Sequence, residues 1–247
     1  MNKKPIVAGN WKMNKVPSET KIYTDSVLDL VGHVKSVSVI FAPPFTGLFE
    51  MSLEPPFYLA AQNCHWEDSG AFTGEISINM IKDLSASYVI VGHSERRHIF
   101  NESDDWINKK VRSIVKNNLK VILCVGETSN QRKLGETEIV IKNQIEKGLK
   151  SISDISNVII AYEPVWAIGT GDTASANQIE AAHSLIRNTI NDNYGKRNDI
   201  HILYGGSVNS ANAKELIQIK GVDGFLIGGA SLDANSFASI IKIVDLV

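Results

Sequence analysis

Eight short apolar runs, each cut off by Gly, Pro or polar residues, constrain this chain more than any other feature. They are Ile6 to Ala8, Val37 to Ala42, Tyr58 to Ala61, Tyr88 to Val91, Val121 to Val125, Val158 to Ala161, Ile202 to Tyr204 and Phe225 to Ile227. Most are continuous rather than alternating, the pattern of parallel strands covered on both faces. Helical spacing fills the gaps between them. Ile107, Val111, Ile114 and Val115 follow a Ser103-Asp104-Asp105 start; Ile141, Ile145 and Leu149 form a second set; Ile179, Ala182 and Ile186 stand behind Ser175-x-x-Gln178, a capping-box pattern. Strand followed by helix, eight times over, predicts an α/β fold, a closed (β/α)8 barrel of eight parallel strands with an outer ring of helices. A doubly wound open sheet has the same periodicity. The barrel is preferred because the loops at its C-terminal strand ends share one face, and those ends carry Asn10, Lys12, Gln62-Asn63, His93, Glu127, Glu163, Gly205-Gly206-Ser207 and Gly228-Gly229.

The 247 residues suffice for a well-buried core and are expected to form one barrel domain, 1–247. Net charge is −2 with acids and bases mixed along the chain, so nothing supplies the one-sided basic field that non-specific nucleic-acid binding requires. Any charged partner is expected to be small. Cys64 and Cys124 are the only cysteines, and Cys124 lies inside an apolar run, which fits a reduced, buried thiol and a cytoplasmic setting. The apolar stretch near the N-terminus, Ile6-Val7-Ala8, is too short for a signal peptide, and no run approaches the roughly 20 apolar residues of a membrane helix.

Residues 161–171, Ala-Tyr-Glu-Pro-Val-Trp-Ala-Ile-Gly-Thr-Gly, join a buried strand to a carboxylate and then to a loop suited to movement. Pro164 stiffens one end, Gly169 and Gly171 loosen the other, and Trp166 with Ile168 gives the middle an apolar surface that could close over a bound molecule. Glu163 is therefore the candidate base, a carboxylate made a stronger proton acceptor by a lid that excludes water. The competing reading is a solvated loop glutamate. His93 ends Tyr88-Val89-Ile90-Val91-Gly92-His93 and opens Ser94-Glu95-Arg96-Arg97, so it is expected near a helix start, whose positive end favours a neutral ring able to donate one N–H. A histidine satisfied inside the fold is the ordinary alternative. His93, Glu95 and His98 do not follow a recognised zinc spacing, and no metal site is expected.

Lys12 follows Gly9-Asn10-Trp11 off the first run and can serve as a fixed positive charge for phosphate or enolate oxygens, as a Schiff-base nucleophile, or simply as a surface lysine. Asn10 adds an uncharged donor. Gly205-Gly206-Ser207 and Gly228-Gly229 end the seventh and eighth runs, where barrels of this kind commonly hold a phosphate on backbone N–H groups; tight turns alone are the other use of such pairs. The segment from His65 to Glu75 is long for a strand-helix connection, which usually takes about 2–6 residues. Its aromatic residues suggest contact with a second subunit, against the alternative of a flexible excursion.

These segments together resemble the triosephosphate isomerase family from end to end. The resemblance rests on residues 9–14 (GNWKMN), 71–75 (AFTGE), 91–97 (VGHSERR), 124–127 (CVGE), 161–171, 204–208 (YGGSV) and 224–231 (GFLIGGAS), in that order. It implies a TIM barrel that interconverts dihydroxyacetone phosphate and D-glyceraldehyde 3-phosphate without a cofactor, in glycolysis and gluconeogenesis. By the same resemblance Glu163 is the base, His93 the electrophile, Lys12 and Asn10 contact the substrate, and Glu95 helps to hold the lysine. Gly169, Ser207, Gly228 and Gly229 match phosphate-binding positions. Phe72, Thr73, Gly74 and Glu75 match the loop that enters the neighbouring subunit's pocket in a homodimer. Departures are local: Leu134-Gly135 for a frequent Ala-Gly, Ile78-Asn79 where proline is common, and Phe45-Thr46-Gly47 for a different run. They bear on helix starts rather than on the mouth.

Three other functions remain to be weighed. A glycoside hydrolase would use Glu127 and Glu163 as paired carboxylates about 5–10 Å apart. An aldolase would form a Schiff base through Lys12. A non-catalytic phosphosugar-binding barrel would share the glycines and Lys12 but have no use for Glu163 beside a lid.

Overall fold

The computed structural model describes residues 3–167, 173–195 and 199–247. Eight strands close on one another in chain order, all parallel: β1 (Ile6–Asn10), β2 (Ser38–Ala42), β3 (Phe57–Ala61), β4 (Tyr88–Val91), β5 (Lys120–Val125), β6 (Val158–Tyr162), β7 (Ile202–Tyr204) and β8 (Gly224–Ile227). Closure is made by β1 pairing with both β2 and β8, Ile6 lying opposite Ser38 on one side and Gly224 on the other. The sequence expectation of a closed barrel holds, and the open sheet is excluded. All eight expected runs are strands, with ends that move by a residue or two.

Each strand's two faces feed different cores, which is why the runs are continuous. Ile6, Ala8, Ile40, Ala42, Ala60, Ile90, Ile122, Cys124, Ile159, Ala161, Leu203 and Leu226 form one buried cluster. Their neighbours of opposite parity, among them Val7, Val39, Phe41, Val89, Leu123, Ile160 and Phe225, join the larger cluster that also contains the helices' apolar faces. Successive side chains on a strand point to opposite sides, so the first set fills the barrel and the second lies beneath the helical ring. Cys64 and Cys124 are both free and buried.

The described helices are α1 (Pro17–Val31), α2 (Phe45–Leu48), α3 (Ile78–Asp83), α4 (Ser94–His98), α5 (Asp104–Lys116), α6 (Ser129–Lys133), α7 (Thr137–Gly148), α8 (Ala176–Tyr194), α9 (Ala213–Ile217) and α10 (Ala234–Asp245). The expected starts of α5 and α8 are capped as their sequences indicate, with Ser103 and Ser175 accepting from the N–H groups of Trp106 and Gln178. At the departures from the family pattern, helices still begin. Ser77 caps α3 through the Met80 N–H, taking over a start that proline often marks, and α2 forms over Phe45–Leu48. Gly47 has a packing reason: a Cβ there would lie 2.6 Å from the Thr20 hydroxyl of α1. Among the described residues, no helix is long and apolar enough to cross a membrane.

Candidate active site

Strand parity builds the mouth. Ile6 and Ala8 point into the barrel, so Asn10 is the next inward residue on β1; Ile159 and Ala161 do the same for Glu163 beyond β6. Both surface at the C-terminal ends of their strands, and both line one cavity of about 280 Å³ with Lys12, His93, Ser207, Gly228 and Gly229. Most of the expected site residues are thus brought together. Glu95 lies just behind, joined to the cavity through Lys12. Gly169 falls outside the described residues.

Glu163 is buried, and its backbone N–H donates to the Val125 carbonyl at 2.8 Å. Gly126 permits this approach, since a Cβ there would come within 1.8 Å of the Glu163 carbonyl oxygen. The carboxylate is held on both oxygens: Oε1 is 3.0 Å from His93 Nε2, and Oε2 accepts from the Ser94 N–H at 2.9 Å.

His93 reaches the cavity because Gly92 turns the chain with φ +71°, a left-handed conformation that glycine takes without cost. The residue caps α4, and its Nδ1 accepts the Glu95 N–H at 3.2 Å. In the neutral ring the proton is therefore on Nε2, which donates to Glu163. Burial lowers the His93 pKa, but the Glu163 carboxylate, joined by Glu95, outweighs it, so the ring lies above its ordinary 6.5. Two opposing influences therefore act on the ring: the start of the five-residue α4 favours its neutral form, and the Glu163 carboxylate beside the imidazole favours its charged form. Burial likewise raises Glu163, yet His93, the Ser94 N–H and Lys12 together bring it below its ordinary 4.5. Desolvation alone would have made it the stronger acceptor expected from sequence; its partners reverse the sign while they remain in place.

Lys12 adopts φ +52°, an uncommon conformation for a residue with a side chain. Three contacts fix it. The Asn10 carboxamide oxygen accepts its N–H at 3.1 Å, Gln62 Nε2 donates to its carbonyl at 2.8 Å, and its ammonium lies 2.7 Å from Glu95 Oε1. Gln62 also donates to the Ala42 carbonyl at 2.8 Å, so one amide ties the β1 and β2 ends together.

The two glycine pairs differ in kind. Cβ atoms at Gly205 and Gly206 would meet Glu163 Cγ at 3.0 Å and the Tyr204 hydroxyl at 2.2 Å, so that pair serves close packing. At Gly228 a Cβ would make only ordinary contact with Lys12, and at Gly229 it would meet nothing, so the second pair keeps cavity space open. The Ser207 hydroxyl donates to the Ala167 carbonyl at 3.1 Å, tying the β7 loop to the 3-10 turn Val165–Ala167 that begins the expected lid.

Glu127, fully buried, does not line the cavity. It accepts from Arg132 at 2.8 Å, from the Trp166 indole at 3.0 Å and from the Tyr162 hydroxyl. That carboxylate is committed to Arg132, Tyr162 and Trp166, which removes the second acid a glycoside hydrolase would need. Ser94, Arg132 and Tyr162 contact these groups without having been singled out from sequence, and Gln62, expected at the mouth, had been given no role there. Among the described residues, no group of His, Cys, Asp and Glu side chains is arranged to hold a metal ion.

The His65 to Glu75 loop is tied at its base and bare at its tip. The His65 ring stacks on Trp66 with centroids 4.2 Å apart and meets Phe72 at 4.3 Å, while residues 67–75 are exposed. An adjoining cavity of about 270 Å³ shares Asn10, Lys12 and His93 with the first and runs on to Met13, Phe45, Glu95, Arg96 and Phe100.

A closed eight-stranded parallel barrel with acid, imidazole and ammonium gathered at the C-terminal mouth places this chain among the (β/α)8 enzymes, whose active sites occupy that end. Comparison with known proteins is more specific. The triosephosphate isomerase family model matches residues 5–244. Proteins named triosephosphate isomerase from Chlorobium phaeobacteroides, Chloroherpeton thalassium and Aquifex aeolicus are 49%, 47% and 47% identical to it, each over 96–97% of this chain and 98% of its relative. The chain belongs to the triosephosphate isomerase family.

Proposed function

We propose that this chain, as one domain, interconverts dihydroxyacetone phosphate and D-glyceraldehyde 3-phosphate through an enediolate, with Glu163 as base and His93 as electrophile. Family membership makes it an aldose-ketose isomerase, an intramolecular oxidoreductase. The observation that carries the residue assignment is the convergence of Glu163, His93 and Lys12 on one cavity whose opposite wall, Gly228 and Gly229, is bare of side chains.

The chemistry follows from that geometry. A carbon-bound proton beside a carbonyl is weakly acidic, so a base must be close and the oxygen that gains charge must be stabilised. At rest Glu163 is occupied by His93 and the Ser94 N–H. Leaving Ser94 frees one carboxylate oxygen to take the proton from one carbon and return it to the next. The His93 Nε2–H, no longer spent on Glu163, then donates to the substrate oxygen, and the Lys12 ammonium adds positive potential on the same side. Hydrogen moves as a proton and electrons stay within the substrate. Backbone N–H groups around Ser207, Gly228 and Gly229 suit the phosphate, whose binding energy can drive residues 164–171 over the site. Closure excludes water and protects an enediolate that could otherwise eliminate phosphate.

The purified chain in deuterated water tests this reading. We expect turnover with solvent deuterium appearing at the carbon that exchanges its proton, and loss of both in Glu163→Gln. Substrate binding with no exchange would mark a binding barrel and sink the assignment.

We also propose a cytoplasmic homodimer in which residues 65–75, with Thr73 at the tip, fill the neighbour's cavity beside Lys12 and Glu95. Support comes from apolar exposure around that cavity, where Met13 is 94% and Phe100 60% exposed, and from Phe72 on the loop.

A further inference from the structure

The opposite end of the barrel carries a further cavity that the proposed reaction does not use. It encloses about 390 Å³ at the N-terminal strand ends, within the roughly 300–1,000 Å³ of ordinary small-molecule pockets. Its floor is apolar: Ile6, Tyr88 and Ile159 belong to the barrel interior and are all buried. Its rim is made of Lys4, Lys120, His201 and Ser38, with Lys3 and Asp199 at one side.

The charges at this rim do not cancel. Lys3 lies 3.0 Å from Asp199 and 2.9 Å from Asp223, and Arg187 lies 3.1 Å and 2.9 Å from the same two acids. Two cations and two anions thus close on themselves. Lys4 and Lys120 remain, and among the described residues neither is paired with an acid. Lys120 donates instead to the Tyr88 hydroxyl at 3.3 Å, which leaves that hydroxyl's own proton for an acceptor. His201 donates through Nε2 to the Lys4 carbonyl at 2.8 Å and so fixes the backbone that carries one of the two cations. Lys4 and Lys120 are themselves exposed at the rim, so it is an anion's seat on the apolar floor beneath them that would strengthen their pull over that of lysines on an open convex surface.

We propose that this cavity binds a small organic anion bearing two or more charges on oxygen, its charged end on Lys4, Lys120 and the Tyr88 hydroxyl and its carbon part on the Ile6 and Ile159 floor. Phosphoryl and carboxylate compounds share this chemistry. The site lies at the end of the barrel away from Glu163, so occupancy acts on stability or regulation rather than on the reacting atoms.

Calorimetric titration of the full chain with pyrophosphate and, separately, citrate at about 0.15 M salt, the ionic strength at which exposed charges are largely screened, tests the proposal. At least one probe is expected to show a binding event that weakens tenfold or more in Lys4→Gln/Lys120→Gln, with turnover unchanged, and the tighter probe identifies the anion class. Lys133→Gln/Lys214→Gln, the same charge change on helices that follow the C-terminal ends of β5 and β7, should leave that event intact. Ser38→Asp, which sets a negative charge at the rim without touching either lysine, should weaken it as well. An event insensitive to Lys4→Gln/Lys120→Gln belongs to the mouth. If that is the only event, if neither probe binds, or if the control pair weakens binding equally, the proposal is wrong.

Discussion

At Glu163 and His93 burial opposes charge on both partners, and the resolution can be read by titration. Glu163 is below its ordinary 4.5 when folded, so its contribution is present above that value and is lost as pH falls through the folded pKa. His93 is above its ordinary 6.5, so its contribution is complete below 6.5 and is lost as pH rises through the folded pKa. The two overlap between 4.5 and 6.5. The gap in melting temperature between the wild type and Glu163→Gln should therefore be wider at pH 5.5 than at pH 9, and a gap that does not change with pH would refute the coupling. In turnover, Glu163→Ala should lose most activity with the fold intact, and His93→Ala should cost on the order of a hundredfold or more if the ring is an oxyanion donor. Near-normal rates in either would refute its role. The candidate side chains were legible because each closes an apolar run or opens a turn. The Ser94 N–H was not, because a backbone donor leaves no mark in a sequence.

Among the elements, the β5 and β6 ends are locked by main-chain contact at Gly126. Gly126→Ala should shift the Glu163 backbone and depress kcat more than KM; an unaltered kcat would show that the contact relaxes at no cost. Helix α8 starts just beyond the expected lid, and Ser175→Ala removes its cap. Loss of about 1 kcal/mol is expected, or roughly 2–4 °C in Tm for a chain of this size, measured by calorimetry. The strands were legible from apolar continuity, and α5 and α8 from their caps. The short helices were less so. Whether α2 forms with Thr46-Gly47 depends on the space Gly47 leaves for Thr20, a tertiary fact. The commitment of Glu127 to Arg132, Tyr162 and Trp166 was equally hidden, since spacing alone allows it to be a second catalytic acid.

For the whole molecule, the proposed dimer makes an exposed loop part of the active site's surroundings. Phe72→Asp should yield a monomer by light scattering, with reduced turnover because Lys12 and Glu95 lose their cover. A dimer of undiminished activity would place the interface elsewhere. The closed barrel was legible as eight repeats of one pattern with their loop motifs on one face, but the register of its seam was not: nothing in the spelling of β1 and β8 says that Ile6 meets Gly224. That seam has a consequence during synthesis. Until residues 224–227 have left the ribosome, β1 and β7 both present bare edges; at about 5–20 residues per second the nascent chain carries that of β1 for roughly 10–45 s and that of β7 for only about 1–5 s.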